Sequence, residues 1–354
     1  MVLVDALERA HRMRLPGAVA SAGGGPASDG GQASLVSWNL LAPEYADPAK
    51  YPWTSAAHLS WEARAPRIVE RIGELDADAV ALQEVPLARW DALYAELQPL
   101  GYDAELQTLS RGSARRGHPV ANAVLLKSDR LRCVRAESRS RALITVLAAR
   151  TAGAAAASAA AAPPLVLANV HLEAGAEKAK TRFNQLRSLL KRVQLLRAAG
   201  EPFDALPAAA PLPLVLAGDF NFDRSSPLHR LLAAAEPPPQ QPWPPAPAPA
   251  HWSALLPLCD AYAAAPPPWG PPLRASYRNG RLLDFVWTSP AVELLRTMPV
   301  PAAAGAAQPR RWPSEEQPSD HLPVGALLSW AGAPPTPCAR RCAWQQLFVQ
   351  HVTE

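Results

Sequence analysis

The residues able to do chemistry in this chain lie at the ends of short apolar runs. Asp219 and Asn221 close the run Leu214-Val215-Leu216-Ala217-Gly218-Asp219-Phe220-Asn221, and their two-residue spacing puts a carboxylate and a carboxamide on one face of a strand. Such a pair can orient a water and hydrogen-bond a phosphate oxygen, although Gly-Asp-Phe-Asn also suits a plain strand-to-turn junction. Asn169 and His171 stand in the same relation at the end of another apolar run, residues 165–172. An imidazole there can donate to a non-bridging phosphate oxygen and stabilise charge that grows during displacement. Alone, it would equally suit a hydrogen-bonded core histidine. Ser319-Asp320-His321 precedes a further apolar run. Successive strand residues point to opposite faces, so Asp320 and His321 can face one ligand only if the backbone after Pro318 is irregular; otherwise they are a turn-capping Asp and a surface His. Glu84 closes Ala79-Val80-Ala81-Leu82-Gln83-Glu84, and Asn39 lies in Leu35-Val36-Ser37-Trp38-Asn39-Leu40. A hard cation such as Mg²⁺ takes oxygen ligands and keeps several waters, so one or two carboxylates with a carboxamide can hold it. Asp284 is a carboxylate within an apolar run, where it needs a cation or a histidine beside it.

Positioning these groups falls to strands and helices in alternation. Apolar runs bounded by turn residues predict strands over residues 35–41, 79–83, 121–127, 143–148, 165–172, 214–220, 282–287 and 322–330. Apolar stripes predict helices over residues 61–75, 87–97 and 179–199, and Ser226-Pro227 supplies the cap and first-turn proline of another. Several strands are too apolar to face water, which indicates an α/β layered domain with helices outside the sheets.

Composition bounds the rest. A chain of 354 residues with 49% hydrophobic content buries a substantial core, and 35 basic against 31 acidic residues leave too weak a global field to hold a polyanion without a local patch. Two basic loops offer such patches: Arg111, Arg115, Arg116 and His118, and then Lys178, Lys180 and Arg182. Either loop also suits plain solvated charge. Trp38, Phe285 and Trp287 are candidates for base stacking, although aromatic residues in apolar strands are usually core. Cys133, Cys259, Cys338 and Cys342 are too scattered for a disulfide framework or a zinc site, which favours a reducing compartment. No apolar run reaches membrane-spanning length. Ala/Pro-rich stretches near 151–164, 236–250 and 299–318 are expected as surface insertions within one domain, 34–331. A flexible leader, 1–33, with a short helix at its start, and a C-terminal tail, 332–354, flank it. A cytoplasmic or nuclear monomer is expected, with the small, Gly-rich leader leaving organellar targeting open.

Together Asn39, Gln83-Glu84, Asn169/His171, Gly218-Asp219-Phe220-Asn221, Asp284 and Ser319-Asp320-His321 resemble, in order and spacing, the endonuclease/exonuclease/phosphatase superfamily over residues 35–330. Ser37-Trp38-Asn39-Leu40-Leu41-Ala42-Pro43 and Leu59-Ser60-Trp61-Glu62-Ala63-Arg64 look like its deadenylase, nocturnin and angel branch. His171-Leu172-Glu173 with Arg182-Phe183-Asn184-Gln185-Leu186 also resembles the tyrosyl-DNA phosphodiesterases. The resemblance implies a four-layer α/β/β/α sandwich with two mixed β-sheets and a Mg²⁺ cofactor, with Mn²⁺ as a substitute. Glu84 would be the main metal ligand, aided by Asn39 and Asp320. Asp219 would orient or deprotonate the attacking water, and Asn221 would position it or the phosphate. His171 and His321 would bind the scissile phosphate, with Asp284 orienting an imidazole. Asn169, Arg111, Arg115 and Arg116 would contact substrate. The implied partner is RNA or a nucleotide phosphate, hydrolysed as by a 3′-to-5′ RNA exonuclease of deadenylase type. The alternatives are a nucleotide phosphatase or tyrosyl-DNA-phosphodiesterase-like hydrolase, and a non-catalytic binding protein on the same fold. No leucine-rich repeat is present to support membership of a large complex.

Overall fold

The computed structural model describes residues 31–109, 119–150, 162–198, 210–234, 255–264, 272–301 and 309–330, with Phe203, Leu206 and Gly305. The N-terminal helix, most of the expected leader, the tail, and the insertions near 151–164 and 236–250 therefore lie wholly or largely outside the described residues. Among those described, strands form two six-stranded sheets. The first contains β1 (Gln32–Asn39), β2 (Ala79–Pro86), β3 (Tyr102–Leu106), β4 (Val120–Lys127), β11 (Glu293–Thr297) and β12 (Val324–Ser329), in the order β11-β12-β1-β2-β4-β3. The second contains β5 (Leu131–Arg139), β6 (Ala142–Ala149), β7 (Leu165–His171), β8 (Leu214–Asp219), β9 (Cys259–Asp260) and β10 (Asp284–Thr288), in the order β5-β6-β7-β8-β10-β9. Each sheet is mixed: β1 runs parallel to β2, and β7 parallel to β8, whereas the remaining pairings are antiparallel.

Alternation along β1 shows how the layers stack. Ala33 and Leu35 enter the core shared with the second sheet, while Val36 and Trp38 enter a separate core beneath α1 (Trp61–Leu75) and α2 (Trp90–Leu97). Ile68, Ile72 and Leu75 on α1 fill that outer core, and the Ser60 hydroxyl caps the helix by accepting from the Ala63 N–H at 3.3 Å. On the far side, α3 (Ala179–Ala198) buries Phe183, Leu186, Leu190 and Val193 against the second sheet, and α4 (Pro227–Ala234) adds Leu228, Leu231 and Leu232. The result is a four-layer α/β/β/α sandwich.

Every apolar run predicted as a strand is one, with shifted ends, and β1 already begins at Gln32, inside the expected leader. The strands that pattern reading misses are β3, β5, β9 and β11, and these are the four sheet edges. Edge strands are short or charged because an apolar edge would invite pairing with another chain. The β5 sequence LRCVRAESR accordingly buries only its first residue fully. The expected insertion at 299–318 also differs where it is described. The Arg67 guanidinium donates to Ser314 O and Glu315 O, and Thr54 Oγ1 to Pro313 O, so this stretch is fastened to the domain.

One position fixes the spacing of the central strands. Gly218 has φ 149°, and a Cβ there would meet the Val170 carbonyl oxygen at 1.8 Å. Gly218→Ala should therefore destabilise the fold by about 3 kcal/mol or more, through backbone strain and overpacking. Gly73, in the last turn of α1, has only Leu100 side-chain atoms near the same position, the closest at 3.4 Å. Gly73→Ala should be neutral or stabilise by up to about 1 kcal/mol. Thermal denaturation of the two variants checks the contrast.

Candidate functional site

The parallel pairs β1/β2 and β7/β8 bring four strand ends to one edge of the sandwich, and β10 enters antiparallel with Asp284 in register with Asp219. Two irregularities turn side chains into the resulting cleft. The β2–β4 ladder shifts register between Leu82 and Val85, and Glu84 within it has φ 55°. This bulge lets adjacent residues serve the same side. Gln83 Nε2 donates to Asn169 Oδ1 at 2.8 Å, while Glu84 Oε1 accepts from Asn39 at 3.1 Å. Asn221 lies beyond the end of β8 with φ 52°. It therefore shares a site with Asp219 through a left-handed turn, and the same-face strand pairing expected for the two is not what joins them. Each such non-glycine conformation costs on the order of 1–3 kcal/mol and persists only where its surroundings enforce it.

Asn39 Nδ2 donates to Glu84 Oε1 at 3.1 Å and to Asp219 Oδ2 at 3.2 Å, joining a carboxylate from each sheet. Its Oδ1 accepts from the Leu41 N–H at 3.0 Å, so the amide, expected as a metal ligand, here positions two acids. Ala42 N–H donates to Glu84 Oε2 at 3.1 Å, and Asn221 N–H donates to Asp219 Oδ1 at 2.9 Å. His171 Nε2 stands 3.8 Å from both Glu84 Oε1 and Asp219 Oδ2, and His321 Nε2 stands 3.8 Å from Asp219 Oδ2. His321 Nδ1 lies 2.9 Å from Asp284 Oδ2, an oxygen that also accepts from Ser276 Oγ at 2.6 Å. Asp320 Oδ2 accepts from the Tyr51 hydroxyl at 2.8 Å and has Arg278 Nε at 3.7 Å. The backbone from Pro318 to His321 is irregular, which is what lets adjacent Asp320 and His321 both face this cluster.

Burial sets the charges. Desolvation raises the Glu84 carboxyl above its ordinary range, and the Asp320 charge adds to it, against His321, Asn39 and Ala42. Burial likewise holds Asp219 well above the usual carboxylate range, with Asp284 and Glu84 reinforcing it and His321 opposing it. For His321, burial alone would lower the ring, but the charge and hydrogen bond of Asp284, with Asp219 and Asp320, push it up to about 10. His171 falls to about 3, because burial, Arg141 and the His321 cation all disfavour a proton. The site thus pairs a neutral imidazole with an imidazolium.

The remaining expected residues are placed differently. Asn169 is fully buried: Nδ2 donates to Leu82 O and Ala123 O, each at 2.8 Å, and Oδ1 accepts from Gln83. It ties the two sheets beneath the cleft and has no face left for substrate. Arg111, Arg115, Arg116 and His118 lie outside the described residues. Arg182 Nη1 donates to the Glu173 and Gly175 carbonyls at 2.9 and 2.6 Å, so it secures the β7–α3 loop. Trp38, Phe285 and Trp287 are buried, which removes them as stacking platforms. Sequence reasoning missed Arg64, which is buried in α1. Its guanidinium donates to Leu59 O, Leu40 O, Leu41 O and Pro318 O at 2.7 to 3.1 Å and so clamps the segment after β1 to the Ser319–His321 motif. It also missed Ser276, and Tyr51 in the loop before α1. Periodicity does not mark their roles: Arg64, though inside a motif that resembles the family, acts on Leu40, Leu41 and Pro318, Tyr51 acts on Asp320, and Ser276 acts across a turn on Asp284.

The donor set suits a hard cation. Glu84 and Asp219 are raised chiefly by burial, with neighbouring carboxylates adding to it, and Asp284 Oδ1 is buried without a hydrogen-bond partner. Asp219, Asp284 and His321 offer ligand atoms within 4.8 Å of one another. The facing atoms of that group are already engaged, His321 Nδ1 with Asp284 Oδ2 at 2.9 Å and the same oxygen with Ser276 Oγ at 2.6 Å, so the Glu84 side of the cluster fits a cation better.

Two facing mixed sheets with acids, amides and imidazoles gathered at one edge define a phosphoesterase of the α/β sandwich class. The chain belongs to the Endonuclease/Exonuclease/phosphatase family, whose profile matches residues 36–321. Members of that family are generally dependent on a divalent metal. The chain is 26% identical over 333 residues to Carbon catabolite repressor protein 4 homolog 4 of Arabidopsis thaliana, covering 82% of this chain and 76% of that protein. It is 34% identical over 70 residues to the CCR4-Not complex 3′-5′-exoribonuclease subunit Ccr4 of Schizosaccharomyces pombe, covering 20% of this chain and 10% of that protein. Its fold resembles that of ANGEL2, a 2′,3′-cyclic phosphatase solved with adenosine-2′,3′-vanadate, with TM-score 0.63, 20% identity, and coverage of 86% of this chain and 97% of that one. Among the described residues no helix is long and apolar enough to cross a membrane.

Folding raises the His321 pKa from 6.5 to about 10, so the stability it contributes is complete below about pH 6.5 and is lost as the pH climbs through about 10. His171 works in the opposite sense: its contribution is present above pH 6.5 and is lost as the pH falls through about 3. In EDTA, the melting temperature should therefore fall more steeply between about pH 6.5 and 10 for the wild type than for His321→Gln. Equal slopes for the two proteins would refute the assignment.

Proposed function

We propose that this protein is a Mg²⁺-dependent 3′-to-5′ RNA exonuclease of the poly(A) deadenylase type. The observation that carries the hydrolytic part is the cluster in which the Asn39 amide joins Glu84 and Asp219 within 3.8 Å of His171. The likeness to the 3′-5′-exoribonuclease subunit Ccr4 supports RNA as the substrate. Asp219, fixed by the Asn221 N–H and raised by burial, is the base that takes a proton from the attacking water near neutral pH. Asn221 anchors its Nδ2 on Leu172 O at 3.0 Å, which leaves its carbonyl oxygen to orient that water. His321, kept cationic by Asp284, donates from Nε2 to a non-bridging phosphoryl oxygen, where negative charge grows during in-line displacement. The neutral His171, whose Nε2 stands 3.8 Å from Glu84 Oε1 and from Asp219 Oδ2, donates to a second oxygen. Glu84 and Asp320, with Asn39 beside Glu84, would hold the cation. When bound, a divalent ion there supplies charge neutralisation at the phosphoryl group and steadies the leaving oxygen.

Purified protein with Mg²⁺ should shorten labelled oligo(A) stepwise from its 3′ end. Inertness toward oligo(A), with opening of an adenosine 2′,3′-cyclic phosphate or release of inorganic phosphate from a small nucleotide, would overturn the exonuclease reading in favour of a nucleotide phosphatase. Asp219→Ala should reduce turnover by about 10²–10⁴-fold with little loss of melting temperature, since the hydrogen bonds it gives up are offset by removal of a destabilised buried charge. Glu84→Gln should also lose activity but recover part of it at high Mg²⁺. Wild-type rates in either variant would show that the role assigned to that residue is wrong.

A further inference from the structure

Beside His321 the cleft wall carries a cluster that the displacement at phosphorus does not use. The Arg278 guanidinium lies 4.8 Å from the ring centroid of Tyr51, 5.4 Å from that of Trp53 and 5.6 Å from that of Tyr277. Three rings hold this cation in place, which removes most of the rotamer freedom a long side chain would otherwise lose on binding a ligand. Its backbone is fixed as well, with the Arg278 N–H donating to Asp320 O at 2.9 Å. The guanidinium hydrogen-bonds the Tyr277 side chain and feels the Asp320 charge, but no carboxylate takes its Nε. Asp320 Oδ2 stands 3.7 Å from Arg278 Nε, beyond hydrogen-bond distance, and accepts instead from the Tyr51 hydroxyl at 2.8 Å.

Two donors in this box are left over. Arg278 Nε and Trp53 Nε1 are both buried, and neither has a hydrogen-bond partner. A buried N–H left unmade costs about 1–3 kcal/mol, so an acceptor brought to this box is favoured, and the Arg278 side chain keeps 23% of its surface exposed, which gives an anion access to the guanidinium. A guanidinium flanked by aromatic rings, with an indole N–H beside it, selects an anionic oxygen over a neutral carbonyl. The box also adjoins the reacting centre: the Tyr277 ring lies 4.6 Å from the His321 ring, and the two residues form an isolated β-bridge.

We infer that Tyr51, Trp53, Tyr277 and Arg278 form a subsite for a phosphate of the substrate strand adjacent to the scissile one. The inference rests on the nucleic-acid reading given above and deepens it: a substrate with consecutive phosphodiesters fills both sites, whereas a lone phosphate ester fills one. Arg278 supplies the charge, Trp53 supplies a neutral donor, and the rings of Tyr51 and Tyr277 hold the guanidinium toward the strand.

The test is binding of a fluorescein-labelled oligo(A) hexamer, followed by anisotropy with Ca²⁺ as the divalent ion, over a range of salt concentrations. Arg278→Met should bind about 10-fold more weakly than wild type, with a log–log salt slope shallower by about 0.7, the loss of one single-strand phosphate contact. Arg278→Lys should keep most of the slope. Trp53→Phe, which retains a ring but removes the donor, should weaken binding and leave the slope unchanged, a pattern that a merely structural role would not produce. Wild-type affinity and slope in Arg278→Met, at an unchanged melting temperature, would overturn the subsite alone. If Arg278→Met fails to fold, wild-type affinity in Trp53→Phe together with a slope reduced in Arg278→Lys as much as by full loss of a contact overturns it. Absence of any oligo(A) binding by the wild type would remove the nucleic-acid reading and the subsite together.

Discussion

One amide holds the centre of this molecule together. Asn39, at the end of β1, shares its Nδ2 between Glu84 of the first sheet and Asp219 of the second. Two acids at the edge of an apolar sandwich repel each other and resist desolvation, and both carboxyls are raised accordingly. A shared donor lowers that penalty only if both sheets are held in fixed register, so the rest of the core serves as a jig for this contact. Below it, Asn169 and Gln83 continue a polar seam across the sheets, which pins the second sheet against the first where apolar packing alone would tolerate slippage.

The cleft is open to chemistry because regular structure fails there in controlled ways. Glu84 and Asn221 both occupy the left-handed region, and the segment from Pro318 to His321 follows no ladder. These departures are held by contacts from elsewhere. The buried Arg64 guanidinium collects carbonyls from three separate segments, and burial lowers it only to about 10, so it remains a cation at neutral pH. Ser319 Oγ donates to Asn39 O at 2.6 Å and accepts from His321 N–H at 3.1 Å, linking the last motif to the first. The His321–Asp284 dyad then has a fixed orientation toward Asp219, and proton affinity is divided within a few ångströms into an imidazolium, a neutral imidazole and a raised carboxyl.

Much of this is legible in the sequence. The central strands announce themselves because they are buried on both faces, and the polar residues at their ends stand out against apolar runs. The edge strands β3, β5, β9 and β11 do not, since charge on an edge hides the alternation. Asp219, His171 and Glu84 could be picked out by their place at strand ends. The turn that brings Asn221 beside Asp219, and the bulge that turns Glu84 inward, depend on neighbours across the sheets and leave no local trace. The same holds for Asn169, whose position two residues before His171 suggests a ligand-facing group but whose amide is consumed between the sheets. Tyr51, Arg64, Ser276 and Arg278 act on partners that are mostly far away in the chain, so periodicity could not find them.

Glu84 and Asp320 are proposed to hold a divalent cation beside a phosphorus atom, with Asp219 of the second sheet next to them. Anomalous scattering from crystals grown with Mn²⁺ tests it most directly. A single strong peak should lie at direct coordination distance from Glu84, within the cluster formed by Asn39, Asp219 and Asp320. A Mn²⁺-saturated crystal with no peak beside Glu84, or with ordered metal only on the outer surface, would contradict it.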